Sequence, residues 1–268
     1  MQSLIWPRTN YLDDFPGARF AVEHIKLNIR KRIDDQPSRH SLVQNIFLCL
    51  LFVGAQANAT QSEVGGWLIF STGDAFSSES GPSRWQYSFD TQARYFDFGS
   101  GVNQYLLRPA VGYRFGETAR AWFGYARFRT RNAAGNEATE DRFWQQLDWR
   151  AGQWNDGTLT MRARLEQRSV SVGDDVGLVF RFMTRYTRPL GNNGKTNLIV
   201  AIEPFLELRD TDWSGSSGLG QNRVSIGIGW KVNDSWTIET GYMNQYIWRD
   251  NADDLMNHLA IVNFRFAR

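Results

Sequence analysis

Arg84-Trp85-Gln86-Tyr87-Ser88-Phe89-Asp90-Thr91-Gln92-Ala93-Arg94-Tyr95 is the stretch that decides the fold. Successive side chains of an extended chain point to opposite sides, so Trp85, Tyr87, Phe89, Thr91, Ala93 and Tyr95 share one face. Arg84, Gln86, Ser88, Asp90, Gln92 and Arg94 share the other. This is a strand with one apolar and one strongly polar side. The pattern recurs downstream. Tyr105, Leu107, Pro109, Val111 and Tyr113 oppose Gln104, Arg108 and Arg114. Leu159, Met161, Ala163 and Leu165 oppose Arg162, Arg164, Glu166 and Arg168. Val176, Leu178, Phe180, Phe182 and Tyr186 oppose Arg181 and Arg185, and Leu198 to Leu208 opposes Glu203, Glu207 and Arg209. Trp236, Ile238, Thr240, Tyr242, Tyr246 and Trp248 oppose Glu239 and Gln245. Turn signals separate these segments, among them Asn155-Asp156-Gly157, Gly191-Asn192-Asn193-Gly194 and Asn233-Asp234. The chain reads as all-β and meandering.

Such strands could build a soluble sandwich with the apolar face inward or a membrane barrel with it outward. Segments of about 12 to 14 residues exceed the usual strand and can cross a bilayer when tilted. Aromatic residues cluster near segment ends (Trp85, Tyr95, Tyr105, Phe115, Trp236, Trp248), where interfacial girdles belong. The expected fold is therefore a closed antiparallel up-and-down transmembrane β-barrel with a polar, charged lumen. Eleven segments can be read: 65–76, 84–97, 102–115, 119–130, 141–153, 158–170, 175–188, 196–209, 220–232, 235–248 and 255–267. Because single-chain bacterial barrels have even strand numbers, the expectation is about twelve strands, with ten as the alternative. The short connections at 116–118, 154–157, 189–195 and 232–235 read as periplasmic. Those at 131–140, 169–175, 210–219 and 249–254 read as outward loops.

Composition excludes several classes. The chain has 268 residues with 30 basic and 28 acidic side chains, 11 Trp and one Cys, and its mean hydropathy is −0.45. The longest apolar run, Ile46 to Ala55, is about half of the roughly 20 residues a membrane helix needs, which excludes helical transporters. A single Cys excludes an intramolecular disulfide, no Cys/His spacing suits zinc, and no cofactor or metal is expected. Arg30, Lys31, Arg32 and Arg39, then the Leu42 to Ala55 core, then Ala57-Asn58-Ala59 form an export signal, with the mature chain starting near Thr60. On this reading 1–41 is an N-terminal extension, 42–59 the signal core and cleavage site, and 60–268 the barrel. Residues 1–59 carry seven cations and five acids, leaving 23 of each in the mature part. Net neutrality removes the warrant for nucleic-acid binding. Of the mature cations only Lys195 and Lys231 are lysines. Arginine dominance suits buried ion pairs or an anion-lined cavity.

Arg142-Phe143-Trp144-Gln145-Gln146-Leu147, Arg164-Leu165-Glu166-Gln167-Arg168, Glu203-Pro204-Phe205, Gly241-Tyr242-Met243-Asn244-Gln245-Tyr246 and Asn257-His258 occur in an order that resembles the DUF2490 family. The resemblance covers roughly Gly66 to Phe266. It implies a bacterial outer-membrane barrel and names no reaction or ligand. The last strand ends on Phe264 and Phe266, as final strands of outer-membrane proteins do, with Ala267 and Arg268 following.

By topology Arg142, Trp144, Gln146, Glu166, Arg168, Glu207, Arg223, Gln245 and His258 fall at the outward end, and all but His258 and its neighbour Asn257 lie on the lumen phase. They could satisfy one another as a structural filling. They could instead form an outward-facing vestibule in which Arg168 and Arg223 grip an anion and Trp144 stacks on it. Arg94, Arg108, Arg114, Arg162, Arg164, Arg181 and Arg185 would favour acidic solutes in an open pore. Asp90, Asp148, Glu166, Glu203, Glu207 and Glu239 share that phase and would neutralise them, closing the bore. A lipid-modifying hydrolase would have to use His258, the only His of the mature part, with Ser169 or Ser171. With no His-x-Ser or Gly-x-Ser-x-Gly motif, a capping His is favoured and no catalytic residue is assigned. The partners implied are outer-membrane lipid and lipopolysaccharide, the barrel-assembly machinery during biogenesis, and a small anionic solute.

Overall fold

The structure is a computed structural model that describes residues 60–78, 81–99, 101–191, 194–250 and 252–267; the leader reading over 1–59 lies outside them. Eleven strands follow in chain order: β1 (Thr60–Ser78), β2 (Gly81–Asp97), β3 (Val102–Phe115), β4 (Ala119–Arg131), β5 (Glu137–Trp154), β6 (Gly157–Val170), β7 (Val176–Leu190), β8 (Thr196–Glu207), β9 (Gly218–Lys231), β10 (Trp236–Ile247) and β11 (Asp254–Phe266). Each pairs antiparallel with the next in sequence, and the sheet closes on itself.

The number eleven differs from the expected twelve, and the reason lies in the seam. The segment from Gly65 is a full wall strand, and no further strand is present among the described residues to restore even parity. Alternating directions then force the first and last strands to run the same way. β1 and β11 pair in parallel from Thr60 opposite Asp254 to Thr72 opposite Phe266.

Local turn chemistry fixes the hairpins. Between β5 and β6, Asn155 and Asp156 both adopt positive φ (47° and 63°), the combination a two-residue type I′ turn requires. The Tyr186 hydroxyl donates to the carbonyls of Trp154 and Asn155 (both 3.1 Å). Its ring covers Gly157, where a Cβ would come within 2.2 Å, so only glycine fits.

Alternation places the two faces as the sequence indicates. Leu107, Phe123, Phe143 and Ile226 point outward and are each more than half exposed. The lumen phase carries the arginines, carboxylates and amides, but it also carries a true core. Leu106, Ala110, Ala126, Phe128 and Trp144 pack together inside the barrel, as do Trp67, Met243 and Leu259. Trp144 lies across Gly124, its cross-strand partner, where a Cβ would meet the indole at 2.2 Å.

The short turns gather at one mouth and the longer loops at the other. On the long-loop side, Asp212 accepts from the backbone N–H of Asp174 (2.9 Å) and Asp175 (3.2 Å), while Asp175 accepts from that of Asp212 (3.0 Å). Trp213 donates its indole N–H to the Asp175 carbonyl (2.8 Å). The loops after β6 and β8 are thus stapled to each other.

Because β1 runs parallel to β11, Thr60 sits at the long-loop mouth and Phe266 at the short-turn mouth. Epitopes inserted immediately before Thr60 and after Phe266 should be reached by antibody from opposite sides of a membrane holding the protein in one orientation. Labelling of both from one side would restore an even-numbered barrel.

Candidate functional site

The site is the lumen, and its long-loop half is filled. Glu166 on β6 is 1 % exposed and faces four guanidinium groups: Arg168 (2.7 Å) and Arg164 (3.5 Å) on its own strand, Arg142 on β5 (3.1 Å) and Arg181 on β7 (2.5 Å). Four strand-borne donors converge because residues two apart on β6 share a face and their cross-strand neighbours lie beside them. Arg142 also holds Glu140 (2.8 Å), and Arg181 also holds Glu203 (2.8 Å).

From Glu166 the contacts run right round the bore. Arg142 lies over Phe128 (3.9 Å from the ring centre), and Phe128 also receives Arg94 (5.6 Å). Arg94 stacks on Trp67 (4.1 Å), which Arg223 approaches at 4.9 Å. Arg223 lies over Phe205 (4.5 Å), Phe205 receives Arg181 (4.2 Å), and Arg181 returns to Glu166. The result is a closed circuit of alternating guanidinium and aromatic or carboxylate groups contributed by β1, β2, β4, β5, β6, β7, β8 and β9. Arg94, Arg181, Trp67, Phe128, Phe205 and Glu166 are all buried. Each cation–π contact withdrawn from water contributes up to about 2 kcal/mol, and the aromatic faces stand in where carboxylates run out.

The predicted site residues are brought together in large part. Arg142, Glu166 and Arg223 belong to the circuit, and Arg168 sits on Glu166. Trp144 lies under Arg164 (4.2 Å). Gln146 accepts from Arg164 (2.6 Å) and donates to Asp148 (2.9 Å). Gln245 accepts from Asn257 (3.3 Å), and both are buried. Glu207 lies at the end of β8, beside Gly220. His258 is the exception: it sits on the outer wall, its Nδ1 2.6 Å from the Tyr242 hydroxyl and its ring stacked on that of Tyr242. Ser169 and Ser171 lie on and just after β6, on the opposite wall from β11. The three do not form a nucleophile and base. Where the sequence suggests an outward vestibule, the same polar groups pack against one another and against aromatic rings.

Open space lies below the circuit, toward the short-turn mouth. A central cavity of about 280 Å³ is lined by six arginines (Arg94, Arg108, Arg162, Arg181, Arg185, Arg223) and three carboxylates (Asp90, Glu203, Glu239). Arg108 pairs with Asp90 (2.8 Å), Arg162 with Glu203 (2.6 Å) and Arg185 with Glu239 (2.8 Å). Arg94 instead donates to Gln92 (2.8 Å) and Gln104 (2.9 Å). Arg223 faces the Gln221 amide, whose oxygen accepts from its Nε (2.6 Å) when the amide is turned to satisfy both. Neither has a carboxylate within ion-pair distance among the described residues. The indole N–H of Trp67 and the Nε of Arg162, both in cavity-lining side chains, are buried without a hydrogen-bond partner. The cavity therefore holds surplus positive charge and unsatisfied donors. A wider vestibule of about 550 Å³, with Arg120, Asp148, Arg150 and Arg265 in its wall, adjoins it at the short-turn mouth.

Sequence reasoning missed Trp67, Phe128 and Phe205 as lumen residues. For Phe205 the signal was present, because Glu203, Phe205 and Glu207 share one phase.

With this geometry in hand, comparison with known proteins gives three findings. Residues 64–256 match the family described as protein of unknown function, DUF2490. The chain belongs to the DUF2490 family. An uncharacterised protein of Methylorubrum extorquens is 30% identical over 226 residues, covering 84% of this chain and 97% of that one. The NanC porin structure in its rhombohedral crystal form aligns over 72% of this DUF2490 chain and 93% of its own, at 11% identity with a TM-score of 0.42.

Removing the charge of the central carboxylate leaves four buried or nearly buried guanidinium groups facing one another. Glu166→Gln should therefore cost about 3–5 kcal/mol, read as a lower urea midpoint for unfolding of the purified barrel. An unchanged midpoint would mean that the circuit holds without its anion. At the long-loop mouth the Asp174 N–H holds the Asp212 carboxyl below the usual aspartate range. A lowered folded-state pKa stabilises above the unfolded value, roughly 3.9, and that contribution disappears as pH falls through the folded value. Pepsin cleavage near Trp213 should accordingly rise steeply below about pH 3.9 while the strands stay protected.

Proposed function

We propose that this DUF2490 protein is an outer-membrane barrel whose lumen is a blind cup for a small anion, closed on the long-loop side. The reading of the wall as lipid-facing is supported by its exposed apolar face. Aromatic clusters also border both ends. Trp85, Tyr113 and Phe115 and the Phe70–Trp236–Phe266 group lie toward the short turns; Tyr95 with Phe98 and Tyr242 with His258 lie toward the long loops. Strands of 12 to 19 residues rise about 3.3 Å per residue, which when tilted spans the roughly 30 Å of hydrocarbon. Lipid and lipopolysaccharide would then be the partners of the wall, the short turns would face the periplasm, and export and the assembly machinery would deliver the chain.

One observation carries the anion reading: six arginines face three carboxylates around one cavity, and two of the six are held by amides and rings alone. A buried guanidinium without a carboxylate binds an incoming carboxylate, sulfonate or phosphate through charge-assisted, forked hydrogen bonds. The circuit above the cavity argues for retention over free passage.

Two measurements test this. In planar bilayers the wild-type barrel should carry no steady current, and a stable open conductance would replace the cup with a pore. By calorimetry the purified barrel should bind succinate, and Arg94→Gln combined with Arg223→Gln should weaken binding by at least about tenfold, since each lost charge-assisted bond is worth more than 1 kcal/mol. Equal affinity in the double variant would remove the anion site.

A further inference from the structure

The vestibule and the central cavity meet at a throat formed by Arg162, Met183, Arg185, Ile199, Glu239 and Asn263, which line both. One ion pair crosses this throat as a chord. Arg185 projects from β7 and Glu239 from β10, three strands apart with β8 and β9 between them, and their side chains meet at 2.8 Å. The other bridges of Glu239 are to its neighbouring strand: Arg265 at 3.0 Å and the Asn263 amide at 3.4 Å, both on β11. Glu239 is thus held from two sides, by Arg265 at the vestibule wall and by Arg185 across the throat. The Arg265 side chain is 55% exposed and that of Glu239 15%, so the pair with Arg185 is the drier of the two.

This arrangement gives the throat a sign. A cation arriving from the vestibule meets Arg185, Arg265 and Arg162 and finds Glu239 already engaged. An anion can take the place of Glu239 on Arg185, leaving Glu239 on Arg265, and pass inward toward Arg94 and Arg223. The exchange conserves the number of ion pairs for an anion and offers no such exchange to a cation. The cavity beyond limits the ligand further. Its volume of about 280 Å³ admits a compact molecule, and Ile69, Met183, Ile199 and Ile261 line part of it. We infer that the Arg185–Glu239 pair is a charge-selective latch through which compact organic acids, carrying a carboxylate or sulfonate on a short apolar body, enter the cup from the short-turn mouth. This rests on the anion reading of the cavity given above.

The test uses one introduced thiol. Ser225 lines the central cavity and not the vestibule, and the chain has a single cysteine, Cys49, which lies outside the described residues. In a Cys49→Ser, Ser225→Cys background, the purified barrel is treated with methanethiosulfonate reagents bearing a sulfonatoethyl or a trimethylammonioethyl group. The cysteine thiolate attacks the sulfenyl sulfur, a mixed disulfide forms and methanesulfinate leaves. The anionic reagent should react faster than the cationic one. Glu239→Gln should accelerate the anionic reaction by about tenfold, the factor a partly dry ion pair makes to an opening equilibrium, whereas Arg185→Gln, which removes the cation that receives the anion, should slow it and narrow its lead over the cationic reagent. Two latch variants, each checked for heat-modifiable migration, keep the result independent of one misfolded protein. If Glu239→Gln fails to accelerate the reaction in a folded barrel, or Arg185→Gln leaves its rate unchanged, there is no latch. If Phe128→Ala in the circuit accelerates it more than Glu239→Gln, the entrance is the long-loop mouth and the inference is overturned. If the two reagents react equally in wild type while Glu239→Gln speeds both, the latch stands as a steric gate and the anion reading of the cavity falls.

Discussion

A guanidinium group removed from water must find acceptors or a π face, and this barrel encloses more of them than it has carboxylates to match. That imbalance organises the lumen. Glu166 gathers four arginines, Glu203 takes two, and Trp67, Phe128 and Phe205 take the faces that remain. The planar, weakly hydrated guanidinium can offer its edge to a carboxylate and its face to a ring at once, which an ammonium cannot. Arg181 does so between Glu166 and Phe205, and Arg142 between Glu166 and Phe128. This accounts for a barrel domain with only two lysines, both at the short-turn end.

The same demand separates the lumen into two regimes. In the long-loop half the strands supply enough aromatic and aliphatic side chains to interdigitate with the charges, and Leu106, Ala126 and Leu259 exclude water there. In the short-turn half the lining thins to Ser71, Ser225, Gly227 and Ala201, and space opens. Small residues at those positions keep the cavity; large ones above keep it closed. The small-to-large gradient along the tube axis gives the lumen its polarity.

Much of this was legible from residue order alone. The period of two placed Trp85, Leu107 and Val111 outside and Arg94, Arg164 and Arg181 inside, because one alternation serves every strand. The polar motif residues were placed at one end, and there they meet. Three features were not legible. Strand parity depends on what β1 pairs with, a contact between residues nearly two hundred positions apart that no local pattern encodes. Trp67 and Phe128 are large apolar side chains inside the tube, where the simple rule of apolar outside and polar inside does not look for them. Whether converging charges leave a gap or fill it depends on side-chain volumes around the whole circumference, and alternation carries no information about circumference. His258 illustrates the converse: its phase pointed outward, and its pairing with Tyr242 on the neighbouring strand follows from that.

The parallel seam also has a bearing on how the tube comes to exist. Ten of its eleven junctions are between consecutive strands and can zip as the polypeptide is laid down, each needing only a short chain closure. The eleventh joins the opening strand to the closing one and pays the largest loop-closure entropy in the molecule. Its slanted hydrogen bonds must also form without a hairpin to guide their register. Of all the junctions in the closed sheet, the seam is therefore the one with the greatest entropic cost and the least local guidance to its register.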